Sequence, residues 1–324
     1  MRIHIQTSPD DPEFAFTPAQ WHAAAAQAGE PPHDVSFGTS RAHWHAVQNE
    51  VEALVGVTDV LRTLPPLGAP SLRLIFVAAA GVDRLAPFDW LPEGVTLLNN
   101  SGTHAPKAGE YIAMTVLMLA ARMPAMATTQ RAGLWRPAFS APLAGRRVTI
   151  VGTGDLGSAG ARTLGALGVA ATGVRTRAEP HPDFAAIVPV AELDAVLAET
   201  EFLVLTCPLT PATRGLIDRR RLGLLPEGAG VVNIGRGALL DGEALCDLLD
   251  SGRLSGAVLD VFDPEPLPEG HRMWRTPNLV ITPHVSCDDP SSYNMRSLDI
   301  LFANLQAIRS GAAPPNQVDP ARGY

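Results

Sequence analysis

Val148-Thr-Ile-Val-Gly-Thr-Gly-Asp-Leu-Gly157 is the stretch that decides the fold of this chain. An apolar, β-branched run passes straight into Gly152-x-Gly154-x-x-Gly157, and a helical pattern starts at once. That is the strand, turn and helix of a dinucleotide-binding unit. Gly152 allows the tight turn, Gly154 lets the backbone approach a pyrophosphate, and Gly157 lets helix and strand pack closely. The phosphates would sit on N–H groups at the helix N-terminus, around Asp155 and Leu156. Three glycines alone carry little weight in a chain with 29 glycines in 324 residues; the flanking strand and helix carry the reading.

The same rhythm continues downstream. Strands read at Val148–Val151, Val169–Val174, Phe202–Thr206, Val231–Ile234, Ala257–Val261 and Leu279–Thr282, six in all, which fits a doubly wound nucleotide-binding domain. The helix Asp241–Asp250 has Asp241 as its N-cap and Gly252 as its stop. Upstream, Arg2–Thr7, His33–Gly38, Val51–Val57, Leu72–Ala78 and Val95–Asn99 read as strands, with a helix at Pro18–Ala28. This interleaving predicts a second α/β domain with a mostly parallel sheet. Gly109–Met123 is apolar nearly all round and stops at Pro124, so it must be buried, in a core or between subunits. A loop is expected over Ala127–Ala141, and a long helix over Tyr293–Ser310 before a Pro-rich tail. The parse is a two-domain α/β chain. A Rossmann cofactor domain, residues 101–286, is inserted into a flavodoxin-like substrate domain formed by residues 1–100 and 287–324.

Composition narrows the class. Apolar residues make up 46% of the chain and charged residues 18%, with a net charge of −8, which is no basic footprint for nucleic acid. The longest apolar run, Tyr111–Ala121, is too short to span a bilayer, and Met1-Arg-Ile-His-Ile-Gln reads as a strand rather than a secretory leader. Cys207, Cys246 and Cys287 are scattered, which suggests neither a disulfide framework nor a zinc site. His43-Trp-His45 has metal-ligating residue types but no carboxylate or cysteine beside it, and no metal is expected. The expectation is a cytoplasmic enzyme without membrane or nucleic-acid partners.

Three polar residues fall where strands of the second sheet should end: Arg236, Glu265 and His284. Ligands of open α/β sheets bind outside the carboxyl ends of the strands, so the three are expected in one cleft. An arginine, a carboxylate and a histidine suit 2-keto acid reduction. Arg236 can hold a substrate carboxylate and polarise the ketone through its planar fork. His284 can donate a proton as hydride arrives, and Glu265 can favour its charged form. Each has a plainer reading alone: a surface cation, a loop acid, a structural imidazole. The ordered triple behind a nucleotide motif favours chemistry.

At this point the chain resembles the D-isomer-specific 2-hydroxyacid dehydrogenase family, and within it the glyoxylate/hydroxypyruvate reductase members. The matching segments are Gly152-Thr-Gly-Asp-Leu-Gly157, Cys207-Pro-Leu-Thr-Pro-Ala-Thr213, Asn233-Ile-Gly-Arg-Gly237, Leu259-Asp-Val-Phe-Asp-Pro-Glu-Pro266 and Thr282-Pro-His284. Upstream, Ala80-Gly-Val-Asp83, Gly102-Thr-His-Ala105 and Gly109-Glu110 are similar to the family's substrate loop and domain-crossing helix. The resemblance implies that Arg236 binds substrate, that Glu265 pairs with His284, and that His284 is the acid/base. It implies substrate contacts from the backbone of Ala80, Gly81 and Val82. It implies cofactor contacts at Cys207, Pro208, Thr213, Ile234 and Gly235, and at Asp260, which would meet the nicotinamide carboxamide. Cys207 stands where the family has a histidine, and Ala78-Ala-Ala80 lacks the lysine some relatives carry. The first 60 residues carry little signature.

An NAD site wants an acid about 20 residues past the glycines, to bond the ribose hydroxyls. Here the second strand ends Val174-Arg175-Thr176-Arg177. These residues could bind a 2′-phosphate that a carboxylate would repel, so NADP is expected over NAD. The buried-looking helix Gly109–Met123 suggests a homodimer, with a place between the domains of one chain as the alternative. Two other functions stay open: a non-catalytic, dinucleotide-sensing binding protein on the same fold, and another Rossmann user such as a methyltransferase.

Overall fold

Leu203 and Leu205 face one side of their sheet and Phe202 and Val204 the other, each at most 2% exposed. Such a strand has helices on both faces, and its unbroken apolar run follows from that. The computed structural model describes residues 1–10, 12–65 and 67–323. They divide into two compact units, Met1–His104 with Asp288–Tyr324, and Ala105–Cys287.

In the first unit β1 (Arg2–Gln6), β2 (Asp34–Gly38), β3 (Ala53–Gly56), β4 (Leu74–Val77) and β5 (Thr96–Leu98) form an all-parallel sheet in the order β2-β1-β3-β4-β5. This is the flavodoxin-like order. The helix Tyr293–Arg309 lies against the helix Pro18–Ala28, with Phe302 edge-on to Trp21 at 5.0 Å. The C-terminal helix therefore belongs to the first unit. It packs over Ile3, Ile5, Val55 and Phe76 of the sheet.

The second unit carries β6 (Val148–Val151), β7 (Thr172–Arg175), β8 (Ala186–Pro189), β9 (Phe202–Leu205), β10 (Gly230–Asn233), β11 (Gly256–Leu259) and β12 (Leu279–Ile281). All are parallel, in the order β12-β11-β10-β9-β6-β7-β8. The chain runs outward from β6 through β7 to β8, then crosses to β9 on the other side of β6. This is the doubly wound arrangement, with its switch point at the ends of β6 and β9. The sheet has seven strands where the sequence predicts six. The missed β8 is a short edge strand with no buried residue, and it ends on Pro189, as edge strands tolerate.

Two further corrections concern the helix expected at Gly109–Met123. It spans Ala105–Ala120, and Pro124 does not end the helical region: a second helix, Met123–Arg131, starts there after Arg122 turns at φ 57°. Proline suits a first turn, where its missing N–H has no intrahelical partner anyway. The expected loop therefore begins later than Ala127. The first helix is buried largely within its own unit, through Ile112, Val116 and Leu119, while Met114 and Leu117 face outward. Among the described residues no single helix is long and apolar enough to cross a membrane, though the pair Ala105–Ala120 and Met123–Arg131, bent by 65°, passes by length and composition together.

Candidate active site

β10, β11 and β12 are neighbours, and their register sets Asn233 level with Leu259 and Leu259 level with Ile281. Arg236, Glu265 and His284 are thus carried on loops leaving the carboxyl ends of adjacent strands. Asn233 shapes the first loop: its amide accepts the Gly235 N–H at 3.0 Å and donates to the Arg236 carbonyl at 3.0 Å. The Arg236 guanidinium donates to the Gly235 carbonyl at 2.8 Å, which fixes one end of its fork.

The other two residues meet. His284 Nδ1 lies 2.8 Å from Glu265 Oε2, while Glu265 Oε1 accepts the Phe262 N–H at 2.8 Å. Because a carboxylate only accepts, Nδ1 carries the proton and Nε2 is the nitrogen left to face a reactant. The His284 side chain is 50% exposed, so it can reach one. Its backbone is unusual, with φ 54°, a region that non-glycine residues seldom adopt unless their surroundings impose it.

Asp260 is what imposes it. Its carbonyl accepts the His284 N–H at 2.9 Å, and its carboxylate accepts the N–H groups of Val285 and Ser286, both at 3.0 Å, and the Thr282 hydroxyl at 2.6 Å. Asp260 is 0% exposed. Both carboxylate oxygens are thus bonded to the loop that carries His284, which makes Asp260 an anchor of that loop. Asn233, Thr282 and Tyr111, which bonds Thr282 at 2.6 Å, are the functional candidates that sequence reasoning missed. For Asn233 the signal was present, an amide at a strand end just before a glycine. For Tyr111 there was none.

On the other side of the sheet's midpoint the glycine loop behaves as predicted. Gly152 has φ +103°, and a Cβ there would stand 2.6 Å from the Cys207 backbone nitrogen. A Cβ on Gly157 would meet the Gly152 carbonyl oxygen at 2.0 Å, so the helix Asp155–Gly165 approaches β6 only through glycine. Over Gly154 there is open space, and no side chain caps the helix that it starts. An open backbone cradle at an uncapped helix end fits a pyrophosphate. Leu156 is half-buried behind it, and Ile234 and Gly235 are buried at the end of β10. Cys207 is buried at the end of β9, and burial pushes its thiol up to about 12. Pro208 follows on the surface, and the Thr213 hydroxyl ties the loop together by donating to the Pro208 carbonyl at 2.7 Å.

Arg175 ends β7 half-buried, and Thr176 and Arg177 are exposed beyond it. The tip itself, Arg175-Thr176-Arg177, carries no acid, and the Glu179 carboxylate lies 3.9 Å from Arg177. The residue set fits a 2′-phosphate. In the first unit, the carbonyls of Ala78, Ala79 and Ala80 accept from the Tyr293 hydroxyl (2.8 Å), the Asn100 N–H (3.1 Å) and the Asn99 amide (3.1 Å). These bonds set the backbone of the turn that continues through Gly81 and the buried Val82. Among the described residues no group of three His, Cys, Asp or Glu side chains could hold a metal ion.

Known proteins resemble this arrangement throughout. The sequence profile of the D-isomer specific 2-hydroxyacid dehydrogenase NAD-binding domain matches residues 113–286. A glyoxylate/hydroxypyruvate reductase A from Salmonella typhi is 32% identical over 264 residues, covering 80% of this chain and 84% of that protein. A D-isomer specific 2-hydroxyacid dehydrogenase from Xanthobacter autotrophicus Py2, solved with NADPH and MES, superposes with a TM-score of 0.83 at 29% identity over 99% of both chains. The NADPH-dependent glyoxylate/hydroxypyruvate reductase of Sinorhizobium meliloti, solved with NADP and sulfate, gives 0.82 at 28% identity, covering 100% of this chain and 99% of that one.

Proposed function

The chain belongs to the D-isomer specific 2-hydroxyacid dehydrogenase family, and from that premise we propose that it reduces a small 2-keto acid of the glyoxylate or hydroxypyruvate kind to a D-2-hydroxy acid, using NADPH in preference to NADH. The observation that carries the reading is the 2.8 Å pair of His284 and Glu265 beside the Arg236 loop. Bound NADPH supplies the hydride that reduces the keto carbon. His284 delivers its Nε2 proton to the substrate oxygen as charge builds there, and Glu265 holds Nδ1 and offsets the positive charge on the ring before transfer. Arg236 binds the substrate carboxylate and draws electron density from the carbonyl. The Ala80-Gly81-Val82 backbone is assigned to the same carboxylate.

The cofactor is assigned to Gly152, Gly154, Asp155, Leu156 and Gly157 for the pyrophosphate, and to Arg175, Thr176 and Arg177 for the 2′-phosphate. Cys207, Pro208, Thr213, Ile234 and Gly235 are assigned to its remaining length. A homodimer through the outward face of the helix Ala105–Ala120 is favoured by apolar exposure: Met114, Leu117, Met123, Trp135 and Phe139 are each more than 40% exposed. A cytoplasmic location is favoured by the three free thiols and by the use of a reduced nicotinamide. The acidic net charge argues against nucleic-acid partners.

The test is NADPH oxidation followed at 340 nm with glyoxylate, hydroxypyruvate, pyruvate and bulkier 2-keto acids in parallel. Turnover with a small keto acid is expected, with a D-configured product where the product is chiral. No oxidation with any of them would leave the non-catalytic reading in its place.

A further inference from the structure

A buried chain of hydrogen bonds runs from the helix Ala105–Ala120 to the backbone of His284. Tyr111, 8% exposed, reaches across 171 residues of sequence to Thr282, with 2.6 Å between the two hydroxyl oxygens. Thr282 in turn lies 2.6 Å from Asp260 Oδ1. The direction of the chain is fixed by proton counting. Asp260 can only accept, so Thr282 spends its one hydrogen there, and Tyr111 must donate to Thr282. Burial raises Tyr111 above the ordinary tyrosine range and keeps it a donor; the titratable groups facing it are Asp260 and Cys287. The Asp260 carboxylate then holds Val285 and Ser286, while its carbonyl holds His284 itself. Three anchored residues surround one at φ 54°. A conformation of that kind costs on the order of 1–3 kcal/mol and survives only where neighbours over-determine it.

We propose that Tyr111 is a positioning residue for the reaction, holding His284 in line with Glu265 through Thr282 and Asp260. The inference rests on the reading of His284 as the proton donor. Tyr111 touches no reacting atom. Its hydroxyl fixes the orientation of the Thr282 hydroxyl and so completes the clamp under the loop; without it, Thr282 can turn away and Asp260 loses one of its bonds.

The test compares Tyr111→Phe, Thr282→Val and Thr282→Ser in the full-length enzyme with NADPH and glyoxylate. Tyr111→Phe and Thr282→Val should each lower kcat by roughly 10- to 100-fold, the scale on which a displaced catalytic group loses alignment. KM for NADPH should stay within about twofold, because the glycine loop is untouched. Thr282→Ser keeps the hydroxyl and should restore most of the rate. In a His284→Ala background, Tyr111→Phe should cost nothing further. Unchanged kcat in both Tyr111→Phe and Thr282→Val would overturn the proposal. So would an equal loss with and without His284, since Tyr111 would then act elsewhere. Full activity in His284→Ala is a separate result: it would remove the proton-donor reading itself, and the proposal with it.

Discussion

Glu265 uses both carboxylate oxygens on its own surroundings, one on the Phe262 N–H and one on His284 Nδ1, each at 2.8 Å. The backbone contact fixes the acid within its loop, so the position of the carboxylate does not depend on the histidine. Glu265 thus meets the His284 ring while tied to its own loop. The pair joins loops from two adjacent parallel strands, and this side-by-side arrangement brings residues 19 apart in sequence into contact.

Glu265→Gln keeps the shape and removes the charge. The neutral amide can still reach His284 Nδ1 but no longer offsets the charge that the ring carries as a donor. Glu265→Gln should lower kcat with glyoxylate by roughly 10- to 100-fold, while KM for NADPH stays within about twofold. An unchanged kcat would separate Glu265 from the chemistry.

His284→Ala should lower kcat by about 10²- to 10⁴-fold, the usual contribution of a positioned acid. NADPH affinity, measured by fluorescence titration, should stay near that of the parent enzyme. Full turnover would place the proton transfer on another group.

Arg236→Ala should raise KM for the keto acid and lower kcat together, because the guanidinium meets both the ground-state carboxylate and the charge that develops at the carbonyl. Arg236→Lys should recover little, since an ammonium lacks the planar fork. A rise in KM alone would restrict Arg236 to binding.

Arg236, Glu265 and His284 were legible in the sequence because each follows a recognisable apolar strand, and parallel sheets put their functional residues at strand ends. The glycine loop was legible for the same reason. What escaped was set by tertiary packing. β8 has no apolar alternation to announce it and lies at an edge. Pro124 reads equally as the end of one helix or the start of another, and the left-handed turn at Arg122 decides between them. The bonds from Asp260 to Thr282, Val285 and Ser286 form only once the chain has turned after β12, and nothing in the local pattern announces them. Tyr111 sits in an apolar helix pattern and reads as core; only its long-range bond to Thr282 gives it another part.

Cys207 gives a test of the cofactor face. Burial pushes its thiol up to about 12, so almost no thiolate exists near neutral pH. Iodoacetamide at pH 8 should leave Cys207 unmodified in the folded enzyme and label it after denaturation, as read by peptide mapping. Labelling in the native enzyme would mean that the end of β9 opens in solution.

The proposed cofactor choice rests on Arg175 at the end of β7 and Arg177 just past it, where an acid would favour NADH. The 2′-phosphate carries nearly two negative charges, and a guanidinium binds it by charge-assisted hydrogen bonds. Arg177 is well exposed and has the Glu179 carboxylate 3.9 Å away, so its contribution is screened; the half-buried Arg175 should contribute more. Together they should give roughly a 10- to 1000-fold preference for NADPH in kcat/KM, two such contacts discounted for exposure. Raising the salt concentration should narrow the ratio, because exposed charge pairs are screened over about 10 Å at 0.1 M. Arg175→Asp should damage NADPH use far more than NADH use, since it removes a donor and sets a negative charge against the phosphate. Equal kcat/KM for the two cofactors in the parent enzyme, at one moderate ionic strength, would return both arginines to the solvated surface.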